Sequence, residues 1–247
     1  MAVTNTLTPK KQNDKMMVEF DVNGMQVKLT PAIVKNYMIS GNKDAVTDQE
    51  IAMFMNLYKF SGLNPWIKEA YCIKYGSEPA TMVVGKEAFQ KRAESHPAFD
   101  GFDAGIIVID ESGNITYRQG TMKLPTETLL GGYAEVWRKD RTHSTRIEVS
   151  FDEYAGRKKD GTLNGQWSKK PATMIRKVAL VQALRETFPN NLGGMYTAEE
   201  QSVEEAPLQD IPAEVIDADT GEIVDAEVVN VESEPAVNTV ASALFGK

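Results

Sequence analysis

The sequence predicts an α+β fold: a small antiparallel sheet with a basic hairpin, flanked by helices and followed by a disordered acidic C-terminal tail. Three observations predict it. Strand-like runs cluster between about residues 69 and 150 instead of alternating with helices, which argues against a repeating βαβ design. Helix signals stand on both sides of that cluster. Past "NNLGG" at 190–194, the stretch from Ala198 onward turns acidic, holds three prolines and has no aromatic residue until near its end. Such a segment buries too little apolar surface to offset its ordering entropy.

The elements follow in order. Residues 18–29 alternate around Asn23-Gly24, a hairpin turn signal. Thr47-Asp48-Gln49-Glu50 forms a capping box, and Ile51, Phe54, Met55 and Tyr58 supply the apolar stripe of the helix it starts. "EAYCIKYG" and "ATMVVG" read as strands and "KEAFQKRAES" as a helix. "GFDAGIIVID" and "GNITYRQG" flank the turn Ser112-Gly113, and "GGYAEVWRKD" and "STRIEVSF" are two more strands joined by a short polar loop. Helices follow from about Asp152 and from Pro171, where a missing N–H costs little in a first turn. The chain therefore divides into an N-terminal segment of hairpin and helix at 1–44, a core at 45–195 and a tail at 196–247. The tail ends in an apolar stretch with Leu244 and Phe245, which reads either as a frayed end or as a short docking motif.

Several functions are disfavoured. One cysteine in 247 residues, Cys72, excludes an intramolecular disulfide and any multi-cysteine zinc site; flanked by Tyr71 and Ile73 it reads as a small core residue. The opening "MAVTNTLTPKKQNDK" lacks the apolar run of a signal peptide, and no run approaches the roughly 20 residues of a membrane span. A soluble, cytoplasmic protein is expected. "VVGKEAF" and "LLGGYAE" lack the spacing of a phosphate-binding GxxxxGK[ST] loop. His96 and His143 stand far apart, and Asp103, Asp110 and Glu135 are scattered, so that only the fold could assemble them into a nuclease site.

Charge carries the positive signal. The total is −8, but residues 201–247 hold eleven acids and one lysine, so the first 200 residues carry +2. From Arg138 to Arg185 twelve basic residues face five acidic ones. "WSKKPATMIRKVALVQALRETFP" gathers Lys169, Lys170, Arg176, Lys177 and Arg185 on one expected helix, apolar nearly all round in its second half. If that helix reaches back far enough, Lys169 projects with Arg176 and Lys170 with Lys177. Arg138, Lys139, Arg141 and Arg146 lie on the hairpin, and Arg157, Lys158 and Lys159 in the loop before Gly161. The earlier helix adds Lys86, Lys91 and Arg92. Phosphates need cations and unpaired bases need flat surfaces; Tyr133, Trp137, Tyr154 and Trp167 are the stacking candidates. A solvated basic face with ordinary core aromatics is the alternative for any one of these residues.

Four ordered strings then resemble one family, the RecT/Bet phage single-strand annealing proteins, over roughly residues 45–195. They are "FSGLNPWIKEAYCIKYG", "VVGKEAFQKRAESHPAFDGFDAG", "AEVWRKDRTHSTRIEVSFDEYAG" and the Pro-x-x-Met-x-x-Lys-x-x-x-x-x-Ala-x-Arg-x-x-Phe-Pro pattern from Pro171 to Pro189. The closest likeness is to RecT proteins of Gram-positive prophages. The resemblance implies a non-enzymatic protein that anneals complementary single strands without ATP during prophage recombination. It implies rings and helical filaments, to which the N-terminal segment would contribute contacts, with DNA in a basic groove. It also implies a partner 5′→3′ exonuclease, contacts of the C-terminal part with that exonuclease or a host single-strand-binding protein, and a bacterial host cytoplasm. No cofactor is required; Mg2+ enters only as an effect on annealing, with no protein site identified. A passive single-strand-binding protein is the competing expectation.

Overall fold

The computed structural model describes residues 16–201, apart from Asn23 and Ser77. The expectations for the first fifteen residues and for the tail beyond Gln201, including its apolar end, lie outside those residues.

The chain opens with the expected hairpin, β1 (Val18–Val22) and β2 (Met25–Leu29), whose register places Val22 opposite Met25. Helix α1 (Pro31–Tyr37) follows, capped by the Thr30 hydroxyl. The capping box before α2 (Asp48–Ser61) is present: Thr47 Oγ1 accepts from Glu50 N at 3.2 Å and Glu50 Oε2 accepts from Thr47 N at 2.8 Å. Gly62 ends α2 in the left-handed region, φ 54°, which a side chain would resist. Ile51, Phe54, Met55 and Tyr58 are buried along one face, as the stripe predicts.

The strands distribute over three sheets. β3 (Ile39–Gly41), β4 (Ala70–Lys74) and β5 (Thr81–Val84) form a sheet in which β3 runs parallel to β4, a pairing the antiparallel expectation missed. Three residues are too few to show a period, so β3 leaves no sequence signal. Helix α3 (Lys86–Glu94) leads to the larger sheet. There β6 (Phe99–Ile109), β7 (Ile115–Gln119), β8 (Thr128–Arg138) and β9 (Thr145–Ser150) pair antiparallel in the order β7-β6-β8-β9. Two short helices, α4 (Phe151–Tyr154) and α5 (Gly165–Lys169), precede α6 (Pro171–Thr187) and α7 (Pro189–Leu192).

α6 packs across one face of the four-stranded sheet, against β6, β8 and β9. Met174, Ile175, Val178, Val181 and Leu184 of α6 are buried, as are Ala104 and Ile106 of β6 and Ala134 and Val136 of β8. The approach is close at Gly132: a Cβ there would stand 2.6 Å from the Ile175 carbonyl oxygen. Packing does not stop at the boundary expected at 195. Met195, Thr197, Ala198 and Glu199 are buried, Ala198 sits against Ile73 and Val83, and Tyr196 O accepts from Val84 N at 2.8 Å.

Glu50 ties α2 to the smaller sheet. Its Oε1 accepts from the buried Lys74 ammonium at 2.8 Å and from Ala80 N at 2.6 Å. Led by the Lys74 bond, these contacts lower its pKa from 4.5 to about 2. A depressed carboxylate adds stability that is complete above the unfolded value and declines as pH falls from about 4.5 toward about 2. Glu50→Ala strands the Lys74 charge and should cost about 3 kcal/mol at neutral pH, read by urea unfolding. The deficit should shrink as the pH drops through that window; a constant deficit would refute this role.

Candidate nucleic-acid interface

The basic residues separate by what already engages them. Lys91 and Arg92 hold the fold: Lys91 pairs with the buried Glu69 at 2.8 Å, and Arg92 donates to Ser61 O and, at 3.1 Å, to Asn191 O. Burial pushes the Arg92 pKa down, the expected direction for a cation partly removed from water. On the hairpin, Arg138 makes paired bonds to Asp140 at 2.8 and 2.6 Å, donates to Thr187 O at 2.9 Å and lies over the Phe188 ring. Arg146 bonds Glu148 at 3.0 Å and Glu135 at 3.3 Å, and stacks over Tyr117 and Tyr133 at 5.0 and 5.1 Å. Arg157 bonds Asp152 at 3.1 Å from an exposed position. Lys177 pairs with Glu199 at 2.9 Å, and Arg185 grips Glu200 with two nitrogens at 3.0 and 2.5 Å. The cations of the sequence cluster are real, but about half of them meet carboxylates of the same chain.

Lys139, Arg141, Lys158, Lys159, Lys169 and Lys170 are exposed and make no ion pair among the described residues. They fall into two groups. Lys169 ends α5 and Lys170 precedes α6, while Lys158 and Lys159 lie in the loop whose Gly156 carbonyl accepts from Asn164 N, just before α5. Lys169 and Lys170 thus stand at the N-terminal end of α6, with the Lys158–Lys159 loop joined to it through α5. The hairpin tip with Lys139 and Arg141 is tied by Arg138 to Thr187, at the C-terminal end. α6 has seventeen residues, so the groups are separated by roughly 25 Å at 1.5 Å per residue.

Between them a pocket of about 280 Å³ is lined by Gly85, Lys86, Glu87, Thr173, Arg176 and Lys177, where the start of α3 meets α6. Arg176 is anchored there by one donor, Nε to Ala104 O at 3.0 Å, leaving most of its guanidinium capacity. No carboxylate pairs with Arg176 among the described residues; Lys86 stands 3.5 Å from the exposed Glu87. The lining sets Lys86, Arg176 and Lys177 and the Thr173 hydroxyl against one carboxylate, Glu87, so it is net positive beside a helix start and suits an oxyanion such as a phosphate.

The seven-residue rows expected to extend back to Lys169 do not form. The helix breaks at Lys170, φ −138° and ψ 54°, because the ring of Pro171 disfavours helical backbone at the residue before it. The stacking candidates also change. Trp167 is 2% exposed and packs edge-on to Phe151 at 5.6 Å, so it has no face for a base. Tyr133 is buried, donates to Asp103 at 3.1 Å and packs on Arg146. The Tyr154 hydroxyl accepts from Gln182 at 2.7 Å, and its ring is half-buried. Trp137 is exposed, on the face of β8 opposite α6. Of the other side chains weighed from sequence, burial pushes the Cys72 thiol up, Asp103 accepts from Gln119, Asp110 caps its own turn, Glu135 pairs with Arg146, His96 accepts from Ala98 N and packs on Phe188, and His143 is exposed.

Residues 27–212 match the model of the RecT family. The chain is also 26% identical over 161 residues to the protein named "Recombination protein bet" of Escherichia phage lambda; the match covers 64% of this chain and 52% of the phage protein. The chain thus spans about half the length of the curated relative it matches.

Proposed function

The chain belongs to the RecT family, and from that premise we propose that it anneals complementary single DNA strands without ATP in phage or prophage recombination. The observation that supports the proposal is the set of exposed or lightly engaged cations about α6: Lys169 and Lys170 at its start, Lys86 and Arg176 in the pocket, and Lys139 and Arg141 on the hairpin that Arg138 ties to its end, with Lys158 and Lys159 in the loop before α5. A strand laid along such cations has its phosphate repulsion screened, so a second strand can approach. The protein need not read sequence, because base pairing does so. It need not hydrolyse a nucleotide, because each stacked step of new duplex supplies about 1.4 kcal/mol.

Self-association belongs to the proposal, in rings or filaments, because a short site on one subunit binds weakly and a row of subunits binds strongly. Exposed Ile115 and Tyr117 on β7, Met122 and Leu124 in the loop that follows it, and Leu130 on β8 support it as apolar surface available for contact. A 5′→3′ exonuclease that makes the single strands and a host single-strand-binding protein are the proposed partners, with the acidic tail as the segment that reaches them. The test is a nucleotide-free annealing assay with purified protein and complementary oligonucleotides. Annealing should be many-fold faster than without protein; a protein that binds both strands and leaves the rate unchanged is not an annealing protein.

A further inference from the structure

The loop 120–127 joins β7 to β8 and is fastened at Glu127, whose side chain is only 5% exposed. Arg118 grips that carboxylate, with Nε 3.0 Å from each oxygen and Nη2 2.5 Å from Oε1. Leu124 N donates to Oε2 at 2.8 Å, and the Lys123 ammonium donates to Glu127 O at 3.0 Å. The side chains fixed by this clasp are apolar and stand in water: Met122 is 71% exposed and Leu124 47%. Ordering a chain segment costs conformational entropy, so a loop held this firmly with its apolar side chains outward marks a contact surface.

The sheet offers a counterpart on its other face. Gly132 faces α6, since a Cβ there would meet Ile175 O. Ile106 lies opposite Gly132 and Arg118 opposite Ile106, so Arg118 anchors the loop on the α6 side. Side chains alternate along a strand, so Ile107, Ile115 and Tyr117 point the other way. With Leu130 they line a groove of about 280 Å³. Its rim is acidic. Glu148 lines it, the turn carrying Asp110 and Glu111 adjoins Ile115, and the one cation beside it, Arg146, is already shared between Glu148 and Glu135. The loop carries the opposite charge, the exposed Lys123 between Met122 and Leu124.

We propose that Met122 and Leu124 of one copy seat in the groove of a second copy of this chain, with Lys123 against its acidic rim. This names the contact for the self-association proposed above, and rests on that reading. Loop and groove are different patches on opposite faces of one sheet, so the contact is heterologous: each copy gives its loop to one neighbour and its groove to another. Assembly then runs in one direction, closing as a ring or growing as a filament, and does not stop at two copies.

Cysteine cross-linking tests the pairing, because the native Cys72 is only 1% exposed. Full-length Met122→Cys/Leu130→Cys, mixed with complementary oligonucleotides and oxidised with diamide, should give a ladder of dimer, trimer and higher species on a non-reducing gel. An equimolar mixture of Met122→Cys and Leu130→Cys proteins should stop at dimer, since each pair then has one loop thiol and one groove thiol. Either single variant alone should stay monomeric. Both positions are exposed, so the variants should keep the wild-type unfolding midpoint; if Leu130→Cys does not, Ile115→Cys replaces it. A short bismaleimide used in place of diamide joins the same pair where the sulfurs stand too far apart for a disulfide. No ladder with either reagent overturns the proposal. So does a dimer from Met122→Cys alone in the yield of the mixture, which would mean that like patches meet. A ladder without faster annealing supports the contact and removes the annealing function; annealing without a ladder removes the contact and leaves the function standing.

Discussion

Replacing Lys169 and Lys170 by Ala together with Arg176 by Gln lowers single-strand affinity about a hundredfold near 0.1 M salt. The physical basis is counterion release: with three fewer phosphates of a single strand neutralised, the slope of log K against log salt falls by about 2. The choice of residues comes from the structure. Lys169 and Lys170 are exposed at the entry to α6 and make no ion pair among the described residues, and Arg176 lines the pocket with only its Nε bonded, to Ala104 O. Arg146 and Arg138 make the contrast. Their carboxylate and aromatic partners are in place, so their removal should reduce stability more than it flattens the salt dependence. Fluorescence anisotropy with an oligothymidylate probe separates the two sets. An unchanged slope in a folded triple variant would remove the α6 cations from the interface.

Gly132→Val is expected to cost about 4 kcal/mol or more, at the upper end of what single substitutions do and a large part of a typical stability of roughly 5–15 kcal/mol. The atoms that a Cβ would strike are the Ile175 carbonyl oxygen and carbon at 2.6 and 2.9 Å and the Arg176 nitrogen at 3.2 Å. All are helix backbone, so no side-chain rotation relieves the clash. α6 would have to lift from β8, opening the apolar layer beneath it and displacing Arg176 from Ala104 O. Urea unfolding of Gly132→Ala, the milder change, should already show a lower midpoint. A wild-type midpoint for Gly132→Ala would mean that α6 does not lie this close to the sheet.

Much of the fold was legible because local chemistry sets it. Thr47 and Glu50 make the capping box, Pro171 marks the start of α6, and Ser112-Gly113 turns β6 into β7. The site was legible only as composition. Whether a cation is available depends on partners that are distant in sequence or set by strand register: Glu135 lies opposite Arg146 across β8 and β9, and Glu199 reaches Lys177 only because the chain folds back after Gly194. The acidic character of residues after 195 hid the apolar packing of Met195 and Ala198, which fixes that return. Trp167 reads as a stacking ring in a basic stretch, and its burial against Phe151 follows from α5, too short to show a period. The pocket had no linear signature, since Lys86 and Arg176 come from α3 and α6 and meet only through the packing of those helices.

An annealing protein holds two strands while they pair, and does more than coat one. Pairing energy exists only in the two-strand state, so such a protein is most stable with both strands present. A preformed duplex has its bases stacked inward and must be opened to fit, which costs stacking energy. The direct measurement is the salt resistance of three complexes: protein with one strand, with complementary strands added one after the other, and with preformed duplex. The sequential complex should survive the highest salt and preformed duplex should dissociate sooner. Equal salt resistance of all three would contradict annealing and leave a passive single-strand-binding protein.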